Sequence, residues 1–247
     1  MASSPSSKSK PPRVCVTGGG GYIASWLVKL LLSRGYAVHA TVRDPGDPKN
    51  AYLWRLDGAP ERLLLFKADV LDRDALAPAV AGCEGSEVLA PTVKGTLNVL
   101  QACSANNVQK VVVVSSTAAV QLNPSWPQGR IKDESCWSDI NLCMKNEDWY
   151  IAAKTIAEQK ALEYGEKNGL LVVTVCPCIV LGPLLQPVVN TTSEFLIYII
   201  KGSQSITTRM IDICTGWESP LAPGFPPGAT NPRLKGYPFS TGLNNRC

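Results

Sequence analysis

The sequence predicts an α/β fold, one parallel sheet with helices packed on both of its faces. Three observations predict it. Short, continuously apolar segments such as Leu63–Lys67 and Val111–Val114 have the length and character of strands buried on both sides. Longer segments with helical apolar spacing separate them. The two kinds alternate along the chain with no internal repeat, the pattern of βαβ units.

The elements follow in order. Residues 1–12 are Ser, Pro and Lys, cannot bury a core face, and read as a mobile tail. Their Ser-rich, acid-free composition also suits a transit peptide, but the folded pattern begins at Arg13 and leaves too little room for one. Val14–Thr17 is a strand that stops at four glycines, Gly18 to Gly21. A helix from Tyr22 to Ser33 ends near Gly35, and Tyr36–Val42 alternates as a second strand. Leu63–Lys67 is a strand, Arg73–Ala81 and Val93–Ala105 are helices, and Val111–Val114 is a buried strand. Glu147–Lys167 reads as a long helix and Leu170–Cys176 as the strand after it. Between Gly82 and Ala90 there is room only for a very short strand, expected at Val88–Ala90. From Ser203 to Cys247 the chain is rich in Pro and Gly without a sustained period, and reads as irregular. The expected division is a tail over 1–12, a nucleotide-binding domain over 13–202 and an irregular segment over 203–247.

Composition excludes several functions. With 247 residues, 45% of them apolar, the chain suits one full domain and part of a second. Its net charge is +4, and Lys8, Lys10 and Arg13 precede the first acid, so the body is near neutral and no nucleic-acid surface is expected. The single histidine, His39, excludes a His-rich metal site, and no metal is expected. No apolar run is long enough to span a bilayer. The nine cysteines are scattered without a C-x-x-C and read as reduced thiols of a cytoplasmic protein.

The glycine run carries the first chemistry. Read as G-x-x-G-x-x-A, it uses Gly18, Gly21 and Ala24 between a strand and a helix. A tight turn lets the backbone approach a pyrophosphate, and the helix N-terminus meets it with unpaired amides and a favourable dipole. The architecture is then a Rossmann-type doubly wound parallel sheet that binds a dinucleotide. The second strand ends at Arg43, where an acid would accept the ribose 2′-hydroxyl of NAD; a cation suits the 2′-phosphate of NADP(H). Lys49 is close enough in sequence to join it, although both cations also read as solvated residues of a turn. Asp69, after the third strand, accepts from the adenine amino group or caps the next helix.

The second chemistry lies further along. Ser115 and Ser116 follow the strand Val111–Val114, at the carboxyl end where such sheets bind ligands. Tyr150 and Lys154 are four residues apart on the long helix and share one face. An ammonium beside a phenol stabilises phenolate and makes the phenol a usable acid near neutral pH. A serine hydroxyl nearby stabilises developing oxyanion charge. Glycine loop, strand-end serine and Tyr-Lys helix, in that order, suit hydride transfer to a carbonyl.

These residues resemble the extended short-chain dehydrogenase/reductases, and among them the plant cinnamoyl-CoA reductase-like proteins, relatives of dihydroflavonol reductases. The resemblance covers about residues 13–202. It is carried by VCVTGGGGYIASWLVKLLLSRGYAVHATVRDP, PTVKGTLNVLQAC, KDESCWSD, WYIAAKTIAEQKALEY and LGPLLQP. It implies that Ser116, Tyr150 and Lys154 are catalytic, and that Gly18, Gly21, Tyr22 and Ile23 cradle the pyrophosphate. It implies that Arg43 and Lys49 hold the 2′-phosphate, Asp69 the adenine, and Lys154 also the nicotinamide ribose. The implied activity is NADPH-dependent reduction of a hydroxycinnamoyl-CoA thioester or a related carbonyl, with that small molecule as a partner and neither nucleic acid nor membrane.

Three departures stand beside the resemblance. The family's cinnamoyl-CoA reductases proper carry N-W-Y-C-Y-G-K where this chain has Asp148-Trp149-Tyr150-Ile151-Ala152-Ala153-Lys154. About a dozen residues that form the fourth strand are missing after Gly82-Cys83-Glu84-Gly85, which leaves Val14–Thr17 and Val111–Val114 in need of a new neighbour. The substrate lobe that follows residue 203 in relatives is incomplete or absent. The alternative to an active reductase is therefore a shortened, non-catalytic cofactor-binding variant. A nucleotide-sugar epimerase or dehydratase shares the fold, but KDESCWSD argues against it.

Overall fold

The computed structural model describes residues 10–88, 92–133 and 135–200. The expected irregular segment over 203–247 and the substrate lobe lie outside them, as do residues 1–9 of the tail. Pro12 already belongs to the body, since its carbonyl accepts from the Ala37 amide.

Six parallel strands form one sheet in the order β3-β2-β1-β4-β5-β6. They are β1 (Arg13–Val16), β2 (Ala37–Val42), β3 (Leu63–Lys67), β4 (Gly85–Val88), β5 (Lys110–Val114) and β6 (Leu171–Val175). The helices between them are α1 (Tyr22–Ser33), α2 (Ala59–Arg62), α3 (Arg73–Val80), α4 (Val93–Ala105), α5 (Ile140–Lys145), α6 (Trp149–Asn168) and α7 (Thr191–Ile200). Short 3-10 turns cover Pro48–Arg55 and Thr117–Val120.

Local chemistry explains the helix ends. Ala24, Val28 and Leu32 recur every fourth residue on α1 and are fully buried. Gly35, at φ +84°, closes that helix as its amide reaches Leu32. Asp72 caps α3 by accepting from the Asp74 and Ala75 amides. Gly165 of α6 lets that helix approach β6 closely, because a Cβ there would stand 2.7 Å from Val172 Cγ2 and 2.8 Å from the Leu170 carbonyl.

Two apolar layers sandwich the sheet. One joins α3, α4 and α6 to Cys15, Val88, Val111 and Val113. The other joins α1 to Val16, Val38 and Ala40. On this second face the register runs Ala40, Val16, Glu87, Val112, Val173. Along β6 the same face presents Leu171, Val173 and Val175 to solvent among the described residues.

The fourth strand corrects one expectation. It is short, but it lies at Gly85–Val88 rather than Val88–Ala90, and residues 89–91 fall outside the description. It pairs with β1 on one side and β5 on the other, so neither neighbour is left without a partner. Backbone pairing outweighs local preference here. Glycine, serine and glutamate are poor strand formers, yet the central gap of the sheet must be closed by whatever segment reaches it.

Candidate active site

A cavity of about 560 Å³ opens at the carboxyl ends of β1, β2 and β3. The glycine loop forms one wall. Gly18 takes φ +63°, which reverses the chain after β1. Its amide donates to Thr41 Oγ1 at 3.1 Å, and the Gly19 amide donates to the Thr41 carbonyl at 2.8 Å. The loop is therefore pinned to β2. A Cβ on Gly19 would stand 2.8 Å from Ala40 Cβ, which sits on a fully buried strand. Gly19→Ala is expected to lower the free energy of unfolding by about 1–3 kcal/mol in urea denaturation, because the sheet cannot yield.

Gly21 leads into α1 with no side-chain cap and no acid in the first turn. The first amides of the helix, at Tyr22 and Ile23, thus present an uncompensated positive end. The Tyr22 ring is buried, and its hydroxyl lies 2.9 Å from where a Gly182 Cβ would be, so it packs against the segment after β6. Only the backbone of Tyr22 and Ile23 is turned to account at the loop, and neither residue lines the cavity.

The other predicted binding residues, Gly18, Gly21, Arg43, Lys49 and Asp69, all line it. Arg43 is exposed and makes no ion pair among the described residues. Lys49 Nζ lies 2.7 Å from Asp47, whose carboxyl is held below the usual range by the hydrogen bonds from Lys49. Asp44 is tied to its own turn by the Gly46 amide. Asp69 accepts from the Leu71 amide at 2.9 Å. The helix cap that Asp69 might have supplied is Asp72 instead.

Sequence reasoning missed three residues at this wall. Thr41 pins the loop, Tyr52 donates to the Gly20 carbonyl, and Asn50 donates to the Asp44 carbonyl while its Oδ1 fills the space a Gly20 Cβ would need. Asp47-Pro48 was the available signal. Asp47 caps the Pro48–Arg55 turn, with proline at its first position.

Ser116 follows β5, and Tyr150 and Lys154 lie in the first turns of α6, all at the carboxyl edge of the sheet. Ser116 caps the Thr117–Val120 turn, accepting from the Ala118 amide at 3.2 Å, which leaves its hydroxyl proton available. α6 packs against that turn and α5. Tyr150 lies in the first turn of α6 and is 59% exposed. Lys154, one turn later, is half-buried; desolvation lowers its pKa, with Cys176 and Glu158 opposing. No hydrogen bond joins the three among the described residues.

A fourth group stands behind them. Glu158 is 1% exposed and accepts from Ser115 Oγ at 2.5 Å and from Cys176 Sγ at 3.3 and 3.5 Å. Sequence reasoning passed over it because an acid on a charged helix looks solvated. His39, in contrast, is structural: Nδ1 lies 2.8 Å from the Ala79 carbonyl, and the ring packs on Phe66. Among the described residues no cluster could hold a metal ion.

The family model for the NAD dependent epimerase/dehydratase family matches residues 14–207. A protein of Medicago truncatula, cinnamoyl-CoA reductase CAD2, is 45% identical over 78% of this chain and 65% of its own length. The crystal structure of vestitone reductase from alfalfa (Medicago sativa) superposes with a TM-score of 0.69 at 37% identity, over 75% of this chain and 63% of that one. Gre2 from Candida albicans, solved in complex with NADPH, superposes with a TM-score of 0.63 at 27% identity, over 77% and 66%. The chain spans less than two thirds of the length of the curated cinnamoyl-CoA reductases it matches.

Proposed function

This chain belongs to the NAD dependent epimerase/dehydratase family, and from that premise we propose that it is an NADPH-dependent reductase of a phenylpropanoid-class thioester or ketone. One observation carries the reading. A cavity lined by a phosphate-type glycine loop and two cations stands at the sheet edge that also bears Ser116, Tyr150 and Lys154.

The residues present fit the cofactor. The uncapped, acid-free N-terminus of α1 suits the pyrophosphate, and Arg43 with Lys49 suits the 2′-phosphate. Asp69 and the apolar wall of Val70 and Leu71 suit the adenine. NADPH, when bound, supplies the hydride. Tyr150 donates its phenolic proton to the carbonyl oxygen as negative charge develops there. The Lys154 ammonium keeps the phenol acidic enough to do so, and Ser116 donates a hydrogen bond to the same oxygen. With a hydroxycinnamoyl-CoA thioester, collapse of the resulting hemithioacetal releases the thiol and leaves an aldehyde. The wide exposure of Tyr150 favours one rival, a variant that binds cofactor without turning over.

The buried thiols of Cys15, Cys83, Cys103, Cys136 and Cys143 suit a reducing compartment, which supports the cytoplasm as the working one. No described helix is long and apolar enough to cross a membrane.

Ligand-dependent melting tests the reading. NADPH at about a hundred times its dissociation constant stabilises a native-state binder by about 2.7 kcal/mol, so it is expected to raise the melting temperature. NADH at the same concentration is expected to raise it less, and Arg43→Ala to weaken NADPH about tenfold while leaving NADH unchanged. No shift with either dinucleotide overturns the reading. A shift without oxidation of NADPH on feruloyl-CoA, a dihydroflavonol or a nucleotide sugar selects the non-catalytic rival.

A further inference from the structure

Three chain segments converge on the Glu158 carboxylate. Ser115, at the end of β5, donates to one oxygen at 2.5 Å, and Cys176, just past β6, donates across both. The carboxylate itself comes from α6, one helical turn beyond Lys154 and so on the same face. Ser115 and Glu158 are buried, where charge acts strongly.

We propose that Glu158 is a positioning residue: its buried negative charge keeps Lys154 protonated, and its hydrogen bond to Ser115 holds the strand end that carries Ser116. The proposal rests on the reading of Lys154 as the partner of Tyr150. Two neighbours of Glu158 are excluded from the same role. Ser115 carries no charge. Cys176 is neutral near pH 7, because burial, followed by the charge of Glu158, pushes its thiol up to about 12.

Other ionisable groups do not compete. α6 itself presents Tyr150. α4 carries Lys94 and Cys103, and α5 carries Cys143 and Lys145. The Thr117–Val120 turn and β6 carry no ionisable side chain. Asp139 and Asp148 act on Cys143 rather than on Lys154. Among the described residues only Cys176 and Glu158 oppose the desolvation of the Lys154 ammonium, and of the two only Glu158 is a carboxylate.

The sign follows. Removing the carboxylate charge lets desolvation prevail, so Lys154 loses its proton at lower pH. The test is an NMR titration of the lysine ε-methylene signals in the full chain, with the Lys154 signal assigned by Lys154→Arg. Glu158→Gln keeps an acceptor for Ser115 but drops the charge. It is expected to lower the Lys154 midpoint by about one pH unit, a tenfold change in the ratio of ammonium to amine. Glu158→Asp is expected to restore most of that shift. A Glu158→Gln protein that folds and titrates as the wild type does overturns the proposal.

Should Glu158→Gln fail to fold, Cys176→Ala decides, because it keeps the carboxylate. Its midpoint is expected to stay within about 0.3 units of the wild type, and a fall of a full unit overturns the proposal. The titration uses neither cofactor nor substrate. Absence of NADPH-dependent melting would therefore count against the reductase reading and leave this measurement standing.

Discussion

Replacing Glu87 by leucine is expected to stabilise the protein by about 2–5 kcal/mol at pH 8, with the gain shrinking toward pH 5. Glu87 lies in the middle of β4, 4% exposed, between Val16 of β1 and Val112 of β5. Among the described residues neither carboxyl oxygen has a hydrogen-bond partner. Desolvation pushes its pKa up from 4.5 to about 8. A raised carboxyl pKa means that the folded state keeps a proton the unfolded chain has already released. Its stability is complete below pH 4.5 and is lost as the pH rises to 8, at about 1.4 kcal/mol per unit, or about 5 kcal/mol across the window. Leucine has similar bulk, suits a row of Val and Ala, and has nothing to titrate. Urea denaturation at pH 5, 6.5 and 8 reads the effect. His39 tilts the other way below its ordinary 6.5, because burial lowers its pKa and stability is lost as the pH falls. Comparing the variant with the wild type removes that common term. Parallel pH profiles for the two proteins would refute a buried carboxyl at this position.

The second large effect is on turnover. Tyr150→Phe is expected to lower kcat by about 10²–10⁴ on any carbonyl substrate the protein reduces, because it removes the proposed proton donor and leaves the ring. The dinucleotide cavity lies among β1, β2 and β3 and does not include Tyr150, so the NADPH dissociation constant should change little. Stopped-flow NADPH oxidation, set beside fluorescence titration of NADPH binding, separates the two quantities. A variant that keeps wild-type kcat would show that the proton comes from another group. One that loses NADPH binding in step with kcat would place the phenol in cofactor recognition.

Most of the sheet could be read from the chain, for a physical reason. β2, β3, β5 and β6 are runs of apolar, often β-branched residues between helices with apolar period, and both signals are local. β4 was harder, because Gly85-Ser86-Glu87-Val88 has almost no strand character. It becomes a strand because β1 and β5 need something between them, which is a property of the whole sheet. The Pro48–Arg55 turn and α5 escaped for a related reason. They are short or polar, and hold through caps and tertiary contacts rather than periodicity.

The site divides in the same way. Gly18, Gly21, Arg43, Lys49 and Asp69 announce themselves by residue type and position, and all face one cavity. Thr41, Tyr52 and Glu158 work through a partner far along the chain. Thr41 meets Gly18 across the β1–β2 gap, and Glu158 meets Ser115 across 43 residues. No spacing rule reports such pairs.

Among the described residues β6 ends the sheet, and along it Leu171, Val173 and Val175 are exposed. An apolar strand at a sheet edge is a ready template for any other extended segment it encounters. The practical ceiling on handling this protein should therefore be colloidal. Concentration and time in solution will govern its losses before temperature does.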